Sequence, residues 1–104
     1  MESKALRRVR RKLTVEILWL YVAKALLGSK PVKAYDIVKI LKSEMGLKVS
    51  TITIYSVVYR MAGEGLLETV KVGGETLYKL SERGRMEFEK AVKFIESVIQ
   101  VLKS

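Results

Sequence analysis

The sequence predicts a mostly α fold with one small β-hairpin, arranged as three helices, the hairpin and a long C-terminal helix. Three patterns predict it. Apolar residues recur at three- and four-residue steps in four separate stretches, the spacing that gathers side chains on one face of a helix. Only between Leu67 and Leu80 does the pattern alternate, and there Gly73 and Gly74 interrupt it. From Ser81 a single stripe of Phe88, Ala91, Val92, Ile95, Val98, Ile99 and Leu102 runs almost to the last residue. At 104 residues the chain makes one domain, and its 49% apolar residues exceed what so small a core needs, so a partner subunit is expected.

Residues 1–12 are a basic N-terminal arm. Lys4, Arg7, Arg8, Arg10, Arg11 and Lys12 stand against the single acid Glu2, so the arm holds +5 of a net charge of +9. Such a tract points to a polyanion, nucleic acid or an anionic membrane surface; the plain alternative is a solubilising tail. The apolar run Ile17 to Ala23 that follows is bounded by Glu16 and Lys24 and lacks a small-x-small cleavage site. It is also far shorter than the about 20 residues a membrane span requires, so a soluble, cytoplasmic protein with no membrane partner is expected.

The first predicted helix runs from Thr14 to Leu27, with Thr14 as cap, Glu16 in the first turn where the macrodipole favours an anion, and Gly28 at its end. Apolar nearly all round, it is expected to lie between its own domain and a second subunit, presenting Leu18, Trp19 and Val22 there. Trp19 and Tyr21 read as core aromatics rather than a ligand pocket. Ser29-Lys30-Pro31 separates it from a second helix over Lys33 to Met45, with Tyr35, Val38, Ile40 and Leu41 inside and Lys33, Asp36, Lys39 and Lys42 mostly outside. Gly46 ends this helix, and Leu47-Lys48-Val49 is short enough to set the next one at a steep angle, as in a helix-turn-helix.

That next helix begins near Ser50 or Thr51, either of which can cap it, buries Ile54, Val57, Val58 and Met61, and stops at Gly65 with Leu66 and Leu67 as an apolar latch. The strands Leu67 to Val72 and Glu75 to Leu80 form a small wing, in a register that sets Glu68 opposite Lys79. Ser81 caps the last helix, whose stripe has nothing left in its own chain to cover it. The organisation expected is a winged helix-turn-helix DNA-binding domain over residues 13–81 and a dimerisation helix over 82–104. Its interface would hold Phe88, Val92, Ile95, Val98, Ile99 and Leu102.

With no cysteine and no histidine, the chain can form no disulfide, thiol nucleophile, Cys/His metal site or imidazole acid-base pair. No catalytic constellation assembles, and neither a cofactor nor an enzyme activity is expected. Asn is absent and Gln occurs once, at Gln100, a composition that suits high temperature.

Three segments resemble the PadR-like winged-helix transcriptional regulators. Pro31-Val32-Lys33-Ala34-Tyr35-Asp36-Ile37 is similar to that family's Pro-x-His-Gly-Tyr-Glu-Leu. Val49-Ser50-Thr51-Ile52-Thr53-Ile54-Tyr55-Ser56, with Glu64-Gly65-Leu66-Leu67, is similar to its Val-Ser-x-Gly-Thr-Leu-Tyr-Pro and Glu-Gly-Leu-Ile. Tyr78-Lys79-Leu80-Ser81-Glu82-Arg83-Gly84-Arg85 is similar to its Tyr-x-Leu-Thr-x-x-Gly-Arg. The chain departs from the pattern at Lys33-Ala34, at Ile52, where the family has glycine, and at Ser56, where it has proline. The resemblance implies a homodimeric DNA-binding regulator, usually a repressor, with the last helix in the interface and in some members a small-molecule effector between subunits.

On that reading the third helix enters the major groove of double-stranded DNA by its N-terminal half, offering Ser50, Thr51, Thr53 and Ser56, with Arg60 a turn later. Hydroxyls suit phosphates, whereas the long bidentate base readers are missing from the first two turns, so phosphate contacts and DNA shape should dominate. Tyr55 reaches a phosphate or packs inward, and Tyr59 is a half-buried flank. Lys33 and Lys48 face the backbone path, Lys71 lies near the wing tip, and Arg7, Arg8, Arg10 and Arg11 follow flanking DNA or a minor groove. Two other functions remain open: an architectural protein that coats DNA without an operator, and a protein-interaction adaptor.

Overall fold

The computed structural model describes residues 1–104. Its elements are α1 (Lys4–Lys12), α2 (Leu18–Leu26), α3 (Ala34–Lys39) continuing into a π-helical turn (Ile40–Glu44), α4 (Thr51–Gly63), β1 (Leu67–Val72), β2 (Glu75–Leu80) and α5 (Glu82–Lys103). This is a winged helix-turn-helix followed by a long helix, as the sequence predicts. The core gathers Leu18, Val22 and Leu26 of α2, Ile37, Val38 and Leu41 around the π turn, and Ile54, Val57, Val58 and Met61 of α4. Leu66, Leu67 and Tyr78 close it from the wing.

The capping chemistry works as the sequence suggests at α4 and α5. Ser50 Oγ accepts from the Thr53 amide at 3.1 Å, and the far end of α4 closes in a Schellman motif, with Leu66 N donating to Met61 O at 2.9 Å and Gly65, at φ +80°, donating to Ala62 O at 3.2 Å. In the hairpin, Gly73 and Gly74 take φ of +57° and +83°, the signature of a tight turn that matches strand twist. Leu67 then pairs with Leu80 and Glu68 with Lys79, whose charges lie 3.7 Å apart. Val32 adds a one-residue bridge to β2, exchanging both backbone bonds with Tyr78 at 2.9 and 2.7 Å.

Ser81 ties the last helix to this frame. Its Oγ accepts from Gly84 N at 2.9 Å and donates to Gly65 O at 2.6 Å. The first turn of α5 lies so close to the α4–β1 corner that a Cβ on Gly84 would stand 2.2 Å from Leu66 O.

Several expectations are corrected. Residues 4–12 of the basic arm are helical, capped by Ser3, and bury nothing. The helix expected from Thr14 starts at Leu18 instead: Thr14 donates its hydroxyl to Arg10 O at 2.8 Å, and Glu16 pairs with Lys12 at 2.8 Å, so both belong to the exit from α1. Tyr35, placed inside by its spacing, is 59% exposed, and Ile37 takes the buried position. Leu18 and Val22 are 1% and 0% exposed within their own chain, because α3, α4, α5 and β2 all pack around α2. They have no surface to offer a second subunit. Phe88 likewise packs partly against its own core.

Candidate nucleic-acid interface

The exposed side of α4 is set by what the helix buries. At about 100° per residue, Ile52, Ser56, Tyr59 and Gly63 line up opposite Ile54, Val57, Val58 and Met61. Ile52 is 78% and Tyr59 56% exposed, so Tyr59 is more open than the half-buried flank expected of it. Of the four hydroxyl residues expected on the outward face, three are otherwise engaged. Ser50 caps the helix and its Oγ lies 2.8 Å from Thr53 Oγ1, while Thr51 and Thr53 are half-buried. Ser56 and Arg60 are exposed as expected. The signal that could have found Ile52 and Tyr59 is their own spacing, offset from the core positions by half a turn.

Tyr55 is half-buried, its ring stacked on that of Tyr59 with centroids 6.1 Å apart, and Tyr59 in turn lies 6.4 Å from Tyr78 of the wing. This aromatic row runs along one edge of α4 toward β2. Burial pushes the Tyr78 phenol above its ordinary pKa, with the neighbouring Tyr59 adding to the shift.

Cations converge on the start of α4 from two directions. Lys42, which the sequence places only among outward residues, donates to Thr51 Oγ1 at 3.3 Å. On the other side, Arg7, Arg10 and Arg11 of α1 share an open groove with Gly46, Leu47 and Lys48, the turn that leads into α4. Arg8 lies on α1 beside Lys4, Arg7, Arg11 and Lys12, five positive side chains around one recess. Within this cluster Arg10 is engaged by Glu2 at 2.6 Å, whose hydrogen bond and charge raise its pKa, whereas Arg7, Arg8, Arg11 and Lys48 make no ion pair.

The remaining predicted residues are less gathered. Lys33 occupies the N-cap position of α3, its amide donating to Asp36 Oδ2 at 3.2 Å, but its ammonium is held 3.0 Å from Glu75, which raises its pKa through a hydrogen bond and charge and ties the helix to the wing. Lys71 is exposed on β1, one residue before the last of that strand. Arg60 lies at the rim of a cleft of about 260 Å³ lined by Trp19, Met61, Glu64 and Glu87, on the flank of α4 away from the tyrosines. No helix is long and apolar enough to cross a membrane.

Of the expected interface residues, Trp19 is half-buried in that cleft and Ile95 is half-buried on α5, while Val92, Val98, Ile99 and Leu102 are 36%, 40%, 47% and 78% exposed. Phe94 and Val101, outside the predicted stripe, are 68% and 73% exposed, so apolar side chains cover about half the circumference of the distal helix.

No protein-family model matches the chain, and neither does any curated protein. Solved structures do share its fold. It is similar to a PadR-like transcription factor from Bacteroides fragilis, at 22% identity over 92% of this chain and 96% of that one with a TM-score of 0.70. It is similar to a transcriptional regulator from Clostridium thermocellum, at 15% identity over 99% and 96% of the two chains, TM-score 0.73. A third likeness is to PadR of Bacillus subtilis in complex with operator DNA, at 22% identity over 73% of this chain and 46% of that one, TM-score 0.61. At these identities the likeness establishes the fold.

Proposed function

We propose that this chain is a PadR-like, homodimeric transcriptional regulator, a repressor, that recognises specific double-stranded DNA by placing α4 in the major groove. Residues 13–81 serve as the DNA-binding domain and 82–104 as the dimerisation helix. The observation that carries this reading is the convergence of α1, Lys48 and Lys42 on the N-terminal end of α4, which has no acidic side chain before Glu64. Backbone amides and cations at that end favour phosphate, and the exposed side chains behind them are then positioned over base edges. The fold shared with the operator-bound B. subtilis PadR is consistent with that docking. The apolar half of distal α5 supports the dimer, because a contiguous apolar face on a single chain calls for a partner.

Fluorescence anisotropy tests the proposal, using a labelled duplex from the gene's own upstream region and a scrambled duplex across a salt series. The upstream duplex is expected to bind at least about a hundredfold tighter at physiological salt. Removing residues 1–11 should weaken both duplexes and flatten the salt slope, since fewer counterions are released. A second reading, an architectural DNA-coating protein, is favoured by the absence of Arg, Lys, Asn and Gln from the first two turns of α4. Equal, salt-steep binding to both duplexes selects it, and no binding to either selects a protein-interaction adaptor.

A further inference from the structure

Between Leu18 and Leu80, Ile52 is the most exposed of the large apolar side chains, at 78%. Single exposed apolar residues are ordinary on protein surfaces. What distinguishes Ile52 is its place: the first turn of α4, at the head of the outward row that continues through Ser56 and Tyr59. The helix is fixed beneath it by the Ser50 cap and the four buried residues behind. Cations suited to phosphate belong to the same end of the helix, Lys42 against Thr51 and Lys48 in the preceding turn. A β-branched side chain in a helix is held close to one χ1 rotamer, so the two branches of Ile52 project in a preset direction.

The chemistry of such a group selects its partner. Ile52 can neither donate nor accept a hydrogen bond. In the major groove, guanine, cytosine and adenine present polar edges, and only thymine presents an apolar group, its C5-methyl. A hydrocarbon pressed against a polar edge strips water from donors and acceptors without replacing their bonds, which is unfavourable. Against the thymine methyl it buries apolar surface on both sides.

We propose that Ile52 is a specificity-determining residue that reads the C5-methyl of one thymine per half-site, and so imposes an A·T or T·A pair beneath the first turn of α4. The inference rests on the DNA-binding reading above.

The test begins with a duplex selected by the full-length protein from a random library. Each thymine is then replaced singly by deoxyuridine, which pairs identically and lacks only the methyl. One position per half-site should lose about fourfold in affinity, the equivalent of one buried methylene. Ile52→Ala, whose thermal unfolding should match the parent because the side chain touches no core, should bind the unmodified duplex more weakly and show no further loss at that position. The inference is overturned if no uracil substitution matters, or if the loss persists undiminished in Ile52→Ala. Tight, selective binding without methyl dependence leaves the regulator reading intact and removes only the role of Ile52. Failure of the library to bind at all removes both.

Discussion

The span from Leu18 to Gly84 and the two terminal helices solve the same problem in opposite ways. All 18 buried residues lie within that span, and none lies before or after it. In α1 and just beyond it, Leu6, Val9 and Leu13 are 43%, 50% and 48% exposed, and distal α5 leaves Phe94, Val101 and Leu102 more open still. The middle of the chain is thus a closed core that holds α4 and the wing in place by itself. The ends are helices whose apolar stripes await cover, and a nine-residue helix such as α1 is marginal in water without it. On the dimer proposed above, the ends assemble the protein and supply charge, while the middle presents the reading face.

The largest expected effects break the closed core. Ile54→Ala should cost about 3 kcal/mol of stability by opening a cavity at a fully buried site. Gly84→Ala should cost about 2 kcal/mol, because its methyl meets Leu66 O and the Leu80 side chain and the backbone must shift to admit it. Leu102→Ala, in contrast, should change stability by less than about 0.5 kcal/mol at dilutions where the chain is a monomer. Urea denaturation at low protein concentration compares the three. Equal losses would mean that distal α5 is part of the core after all.

An intermediate effect concerns assembly. Ile99→Lys should leave the monomer's unfolding unchanged and shift the protein from dimer to monomer in sedimentation velocity, because it places a charge on the exposed stripe. A variant that sediments as the parent does would place the interface elsewhere, with α1 the next surface to alter.

Much of the closed core was legible in the sequence, and the reasons are local. The Gly73-Gly74 turn dictates the hairpin register, down to the Glu68–Lys79 pairing, and Ser50 and Ser81 cap where hydroxyls usually do. What escaped depends on neighbours. Ile37 of α3 joins Val38 and Leu41 on the face packed against α2 and α4, and Tyr35, drawn inside by the predicted stripe, turns outward. Leu18 and Val22 belong to a helix apolar nearly all round, and periodicity alone does not say whether the surrounding layer comes from its own chain or another. On α4 the polar residues misled, since Ser50 and Thr53 satisfy each other and the helix end, leaving Ile52 and Tyr59 outward. The convergence of α1 with Lys48 is tertiary, and no pattern along the chain encodes it.

The smallest effect probes whether the ends loosen independently. Glu16 and Glu82 stand at the two junctions between the closed core and its terminal helices. Both carboxyls titrate below their ordinary range, Glu16 through its hydrogen bond to Lys12 and Glu82 through its hydrogen bond to Arg85, with the charge of each partner adding to the effect. A carboxyl depressed in the folded state contributes stability above its unfolded pKa, and that contribution is lost as pH falls through the lower folded value. Both side chains are exposed, so solvent screens them and the loss should be modest. Nothing in these two pairs changes between about pH 7 and pH 6, and the lack of histidine removes the side chain that most often titrates there. Amide hydrogen exchange at about pH 3 should therefore show α1 losing protection while the amides of α4 keep theirs, and Glu16→Gln should shrink that loss without abolishing it, since Glu2 still pairs with Arg10. If α1 and α4 instead lose protection together, the terminal helix is coupled to the core more tightly than its exposed surface implies, and the division of the molecule into a closed middle and open ends fails at its N-terminal boundary.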